Sequence, residues 1–173
     1  MAVLIVRRYG DPVLRRKAEP VSAITPQIKQ LIDDLIDTMY DQVGIGIAAP
    51  QVGVSLRVII VDDGEGGARP LVNPVITAQD GRAVAEEGCL SIPGIFAQVE
   101  RAESIEVEAL DGDGNPLHFQ AQGLQARVIQ HEMDHLDGLL FIDRLDKATR
   151  DRIKRKIKKE GLPDEAPYHA FAL

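Results

Sequence analysis

The chain has 173 residues, 45% of them hydrophobic and 27% charged, with a formal net charge of −7. That balance suits one ordinary globular domain with a real core and argues against disorder or a collagen-like fibre. No apolar run approaches the ~20 residues that span a bilayer, and the opening MAVLIVRRYGD puts its arginines after its short apolar stretch, the reverse of a secretory signal, so the protein reads as cytoplasmic.

Residues 3–6 (VLIV) read as a short strand, and the proline-punctuated stretch up to Pro26 as irregular or a single turn. At Thr25 the pattern becomes helical. Thr25 can cap the free N–H groups, and Pro26 suits the first helical position. Ile28, Leu31, Ile32, Leu35, Met39 and Val43 recur at three- and four-residue steps, and Gly44 follows as terminator. The segment from Gly44 to Gly53 is glycine-rich, but it follows a helix and lacks the Lys-Ser/Thr of a phosphate-binding loop. Its small residues let another backbone approach, and Gln51 offers an amide donor that can stabilise an oxyanion.

Residues 56–62 (LRVIIVD) read as a buried strand and 63–67 (DGEGG) as an exposed turn. Residues 71–77 read as an edge strand, because Pro74 cannot donate to a central ladder. Cys89 is the only cysteine, so an internal disulfide is excluded. Buried filler is the commonest role of such a residue; nucleophile and metal ligand are the alternatives. Its setting, EEGCLSIPG, reads as an irregular, backbone-exposed segment where a ligand loop belongs.

Residues 104–110 and 117–121 read as a hairpin around DGDGN. A calcium loop there would need Gly at the sixth position and Glu at the twelfth; these are Pro116 and Gln122, so the segment is a turn. From Leu124 to His135 the period is helical again, with Leu124, Val128, His131 and His135 on one face and Gly138 beyond its end. A last helix spans about 148–159, anchored by Ile153 and Ile157. Residues 147–159 hold eight Lys or Arg and one Asp, so the rest of the chain carries about −14. The tail from Gly161 reads as loose or draped over the body. The expected class is α+β, mostly antiparallel, with residues 1–147 as the catalytic unit and 148–173 as a basic helix and tail.

The strongest chemical signal is His131-Glu132-Met133-Asp134-His135. Residues four apart share a helix face, so both imidazoles can reach one ion, with Glu132 placed to take a proton from water on that ion. A catalytic site of this kind needs a third ligand. A peptidase of the longer type would place His at position 141, which is Phe; Glu160 ends a basic helix and is a poor substitute. Cys89 is the better candidate, and its thiolate suits iron(II), zinc, cobalt or nickel.

The segments G-I-G-I-A-A-P-Q, E-G-C-L-S and Q-H-E-M-D-H-L-D-G, in this order, resemble the peptide deformylases over roughly residues 1–147. The resemblance implies a small α+β fold with the H-E-x-x-H helix against antiparallel sheets. It also implies removal of the N-formyl group from the N-terminal formyl-methionine of nascent proteins. On this basis Cys89, His131 and His135 bind the ion, usually iron(II). Glu132 is general base and then acid, and Gln51 and the Leu90 N–H hold the oxyanion. Ile45, Gly46 and Gly88 pair with the peptide backbone as an added strand. Many bacterial members carry Arg after the S-I-P stretch; Phe96 stands in that region here, which bears on preferences beyond methionine. Glu87 and Arg101 are expected either to pair and orient the cysteine segment or to be ordinary surface charges. The basic helix reads either as a contact for ribosomal RNA or as a solvated face. The competing functional readings are a zinc endopeptidase with a ligand other than Cys89, and a metal-binding or docking module without catalysis.

Overall fold

Thr25 starts the first helix as its side chain implies, accepting the Ile28 N–H at 3.3 Å, and helix α1 runs Pro26–Asp41. The computed structural model describes residues 2–64 and 66–163. Seven strands follow the helix's start in chain order: β1 (Gly46–Ala48), β2 (Val58–Val61), β3 (Arg69–Asp80), β4 (Ala83–Cys89), β5 (Ile92–Arg101), β6 (Ser104–Leu110) and β7 (Pro116–Gln122). Helices α2 (Gly123–Leu136) and α3 (Lys147–Glu160) complete the described chain. One antiparallel sheet has the order β1-β2-β3-β6-β7, and β4 and β5 form a separate hairpin. The α+β class holds.

Strand β2 is the centre of the packing. Its four residues are all buried because the sheet is covered on both faces. Val58 and Ile60 meet Ile32, Leu35 and Met39 of α1, whereas Ile59 and Val61 meet Ala126, Val128 and Ile129 of α2. Each such aliphatic side chain contributes roughly 1.5–3 kcal/mol on full burial. A third cluster joins the hairpin (Ile92, Ile95, Val99) to Val13, Leu14, Phe141, Ile142 and Ile153 of α3. Ile157 packs at its margin, so both expected anchors of α3 are in use.

Several local expectations change. Residues 3–6 form no strand: their backbone is held by helix α1, with the Leu4 N–H donating to Thr38 Oγ1 at 2.8 Å. Within the proline-punctuated stretch, Pro12–Arg15 form a 3-10 turn, as expected. Helix α1 ends before Val43, which takes a left-handed φ of 56° and is exposed, so the apolar periodicity overran the helix by one residue of the wrong kind. Strand β3 is central and not an edge. Its register shifts between Val72 and Val75, and Asn73 has φ 51°, so Pro74 lies in an irregularity where no ladder N–H is required. The glycine-rich segment contains β1 and a 3-10 turn over Ala49–Val52. Cys89 closes strand β4 and pairs with Ile92 across the two-residue turn Leu90–Ser91, so the expected irregular segment is a hairpin end, and its irregularity is a register shift between Gly88 and Cys89. DGDGN is a turn: the Asp111 carboxylate accepts from the Asp113 and Asn115 N–H groups, both at 2.9 Å. Of the tail, residues 164–173 lie outside the described residues.

Helix α2 begins at Gly123 without a side-chain cap, so burial holds it: from Ala126 to Leu136 only Met133 is not buried. Leu124 departs from the expected face and is exposed. The far end is secured by Arg57, which donates to the Leu136 carbonyl at 3.0 Å and pairs with Asp137 at 3.1 Å. Gly138 then turns the chain with φ 75°; a Cβ there would lie 2.6 Å from the Arg15 carbonyl oxygen. Gly123 has φ 57° but open space where a Cβ would stand. Gly123→Ala is therefore expected to cost about 1 kcal/mol for the left-handed backbone alone. Gly138→Ala should cost clearly more, because a rigid backbone atom must move. Urea unfolding of both variants measures the difference, and equal losses would refute the clash.

Candidate metal centre and active site

The four-residue spacing on α2 places His131 and His135 side by side, with ring centroids 5.2 Å apart. The β4–β5 turn brings Cys89 onto them, and its Sγ lies 3.4 Å from His135 Nε2. One donor atom from each of Cys89, His131 and His135 falls within 4.8 Å of the others, and all three residues are buried. Position 141 supplies no ligand: the Phe141 ring stacks on His131 at 6.1 Å between centroids.

The polar atoms of this site fit a cation. His131 Nδ1 is 2.8 Å from Glu87 Oε1, which leaves Nε2 as the free donor, and Nε2 has no hydrogen-bond partner in the protein. Both Glu132 carboxylate oxygens and His135 Nδ1 are likewise buried without partners. In a dry interior each would carry a penalty unless something else engaged it. Burial pushes Glu132 well above the carboxylate range, with the charge of Glu87 adding to it, and pushes His135 well below its ordinary value. Burial, then the charge of Glu132, likewise raises the Cys89 thiol. All three shifts favour neutral groups in the protein alone; a divalent cation among them would oppose this for the thiol and the carboxyl and reinforce it for His135, since metal ligation requires the deprotonated thiol and the neutral imidazole. Thiolate with two imidazoles is a donor set for such an ion, and it leaves a position for water.

Glycine explains how tightly the parts approach. A Cβ on Gly46 would stand 2.6 Å from Glu132 Oε2, so β1 reaches the acid only because residue 46 has no side chain. A Cβ on Gly88 would fall 2.4 Å from the Phe96 ring, which lies opposite it on β5. Ile45 immediately precedes β1, and its carbonyl accepts from the Asp62 N–H at 2.8 Å. Gln51 is fully buried: its Oε1 accepts the Ala48 N–H at 2.9 Å, and its Nε2 donates to Ser91 Oγ at 3.1 Å while lying 3.7 Å from Cys89 Sγ. Leu90 follows Cys89 in the hairpin turn, its side chain over Gly44. Cys89, His131 and His135 are thus brought together, with Gln51 next to the cysteine and Gly46 against Glu132, while Ile45, Gly88 and Leu90 adjoin them in sequence.

A buried ionic network stands behind the ligands. Arg101 is only 6% exposed, which decides against the surface-charge reading. It forms a two-pronged pair with Glu87 at 2.6 and 2.9 Å and reaches Asp134 at 2.9 Å. Arg127 adds a 2.5 Å bond to Glu87, and Arg144 holds Asp134 at 2.6 Å. Gln130 clamps β5's exit by donating to the Ala102 carbonyl and accepting its N–H. Sequence reading missed Ser91, Arg127, Asp134 and Arg144. The available signal was Arg127 four residues before His131, a charge inside the otherwise apolar run A-R-V-I.

A Cys/His/His cluster that could hold a metal ion, beside an unpartnered carboxylate, fits the class of metal-dependent hydrolases. The polypeptide deformylase family profile matches residues 3–151. A peptide deformylase of Alkalilimnicola ehrlichii is 51% identical over 162 residues, 92% of this chain and 91% of that protein. The crystal structure of a peptide deformylase from Legionella pneumophila superposes with a TM-score of 0.86 at 42% identity, covering 91% of this chain and 95% of that one. That of a Synechococcus elongatus peptide deformylase, in complex with actinonin, gives 0.85 at 41% identity, covering 95% and 90%. The chain belongs to the polypeptide deformylase family.

Burial pushes the Glu87 carboxyl up, but hydrogen bonds from Arg101 and His131 outweigh it and hold the group well below its ordinary value near 4.5. Its contribution to stability is therefore present above that value and is lost as pH falls toward the folded one. Glu87→Gln is expected to flatten the acid limb of a stability–pH curve. Arg101→Ala removes the shared partner of two buried carboxylates, leaving Glu87 to Arg127 and His131 and Asp134 to Arg144, and should cost about 3 kcal/mol, with loss of bound metal. Thermal unfolding and metal analysis test both; unchanged metal content and acid limb would refute the network's role.

Proposed function

We propose that Cys89, His131 and His135 hold one divalent ion, and that Glu132, Gln51 and the Leu90 N–H carry out the hydrolysis beside it. The protein is a metal-dependent hydrolase that removes the N-formyl group from the N-terminal formyl-methionine of nascent proteins, releasing formate. The observation that carries the site assignment is the buried Cys89-His131-His135 cluster with an unpartnered acid next to it on the same helix.

When bound, the ion supplies Lewis acidity, polarising the formyl carbonyl and lowering the pKa of water toward neutrality. Iron(II) is the ion we assign, with zinc, nickel and cobalt suited to the same donors. Glu132 receives the water proton and delivers it to the departing amine as the C–N bond breaks. Its burial favours holding that proton between the two steps. The Gln51 Nε2 and Leu90 N–H donate to the formyl oxygen as negative charge builds on it; one such donor is typically worth about 3 kcal/mol of barrier. Ser91 orients the Gln51 amide from behind.

Strand β1 ends its sheet and β4 ends the hairpin, so each has an open edge. We assign Ile45 and Gly46 on one side and Gly88 on the other to main-chain pairing with the substrate peptide. The small apolar pocket between Ala85, Ala102 and Leu124, about 240 Å³, offers an apolar side chain a place beside the helix. Residues 1–147 form the catalytic unit in this reading, and the basic helix α3 is an appendage facing the ribosome in the cytoplasm. Supporting that view, α3 buries only Ile153 and exposes Lys147, Arg152, Arg155, Lys156, Lys158 and Lys159, with Arg150 and Lys154 half-buried.

Metal-loaded protein prepared without oxygen should release formate from a short formyl-Met peptide. Cys89→Ser should lose both metal and activity. Glu132→Ala should keep the metal while turnover falls by about 10²–10⁴. Activity retained in Glu132→Ala would overturn the proton role, and internal cleavage of an unformylated peptide would mark a peptidase. Co-sedimentation with ribosomes should weaken steeply with salt if α3 contacts RNA; binding that ignores salt would remove that contact.

A further inference from the structure

The two donors assigned to the formyl oxygen sit on elements that no strand ladder joins. Gln51 lies in the 3-10 turn after β1 of the five-stranded sheet, whereas Leu90 lies in the turn of the separate β4–β5 hairpin. Strand pairing therefore does not set the distance between them.

The segment of residues 2–9 spans the same gap with its backbone. The Arg7 N–H donates to the Gln51 carbonyl at 2.6 Å, and the Tyr9 N–H donates to the Ser91 carbonyl at 2.8 Å. Gln51 and Ser91 are both fully buried, and a carbonyl left without a donor there is costly. Groups two residues apart point the same way along an extended chain, so one short stretch can hold both turns. The stretch is itself anchored. The Ala2 and Leu4 N–H groups donate to Asp34 and Thr38 of α1, both at 2.8 Å. Leu4 and Val6 pack on the cluster of Ile47 and Val52, and Tyr9 packs on that of Ile92. Asp11 then caps the Pro12–Arg15 turn by accepting the Val13 N–H at 3.0 Å.

We propose that the Arg7 and Tyr9 N–H groups are positioning groups for the reaction: they hold the Gln51 turn and the hairpin turn at the separation at which Gln51 Nε2 and the Leu90 N–H meet one oxygen. This rests on the assignment of those two donors to the formyl oxygen. A displaced donor leaves peptide binding intact but is worth less as charge builds on the oxygen, so the brace acts on kcat and not on KM.

Replacing the amide nitrogen of residue 7 or of residue 9 by an ester oxygen, with the α-hydroxy analogue of arginine or tyrosine, deletes one N–H and keeps every side chain. The same change at Leu4, which removes the bond to Thr38, is a control within the same segment. In the full-length, metal-loaded protein, the esters at 7 and at 9 should each lower kcat for a short formyl-Met peptide about tenfold, with KM and metal content unchanged. The ester at 4 should lower the thermal midpoint to a similar degree and leave kcat unchanged. In a Gln51→Ala background the ester at 7 should lower kcat no further. An equal fall in kcat for all three esters would reduce the segment to packing and overturn the brace. Unchanged kcat for the esters at 7 and 9, with kcat lowered by Gln51→Ala, would overturn the brace and leave the oxyanion assignment standing. Unchanged kcat in Gln51→Ala would overturn the oxyanion assignment and the brace with it. The ester at 9 also weakens the Arg8 carbonyl, which accepts the Asp11 N–H at 2.9 Å, so the ester at 7 is the decisive arm.

Discussion

The centre of this protein depends on one buried carboxylate. Glu87 is fully enclosed, and it receives Arg101 from β5 and Arg127 and His131 from α2. Removing a charge from water costs several kcal/mol, which only good geometry and complete hydrogen bonding offset. Here the geometry comes from three elements meeting at one side chain. The same contact that ties hairpin to helix also fixes which nitrogen of His131 faces the ligand cluster. Fold assembly and metal chemistry are therefore one arrangement, since a hairpin that shifts loses its clamp and its cysteine together.

Around that clamp the interior disfavours charge. Cys89, His135 and Glu132 are all biased by burial toward neutral forms, while Glu87 alone is held ionised by its cations. The contrast separates two acids on neighbouring elements. One is saturated with donors and serves position; the other has none among the described residues, as the proposed proton transfer requires. Asp134, two residues from Glu132 on the same helix, belongs to the first kind through Arg101 and Arg144.

The two sheets leave complementary openings. Edge strand β1 approaches Glu132 only because Gly46 has no side chain, and β4 brings Cys89 and Gly88 to the other side. In the proposed reading a peptide laid between them pairs through its main chain with both edges, so the candidate site stands where backbone pairing is incomplete and many different sequences can be held.

The sequence by itself determined the helices and the candidate ligand residues. Four-residue spacing puts His131 and His135 on one face wherever the helix goes, and Thr25 with Pro26 starts α1 by local hydrogen bonding alone. These are short-range effects, complete within one or two turns. Strand edges were decided elsewhere. Pro74 lies in a central strand because β3 changes register there, and Cys89 ends a strand because β5 pairs with β4 up to a register shift just before it, neither of which any local pattern reports. Glu87 and Arg101 were visible as a candidate pair. Their burial, and the recruitment of Arg127, Asp134 and Arg144 from distant segments, exist only after hairpin and helix are packed, because the worth of a charge depends on how much water the completed fold excludes.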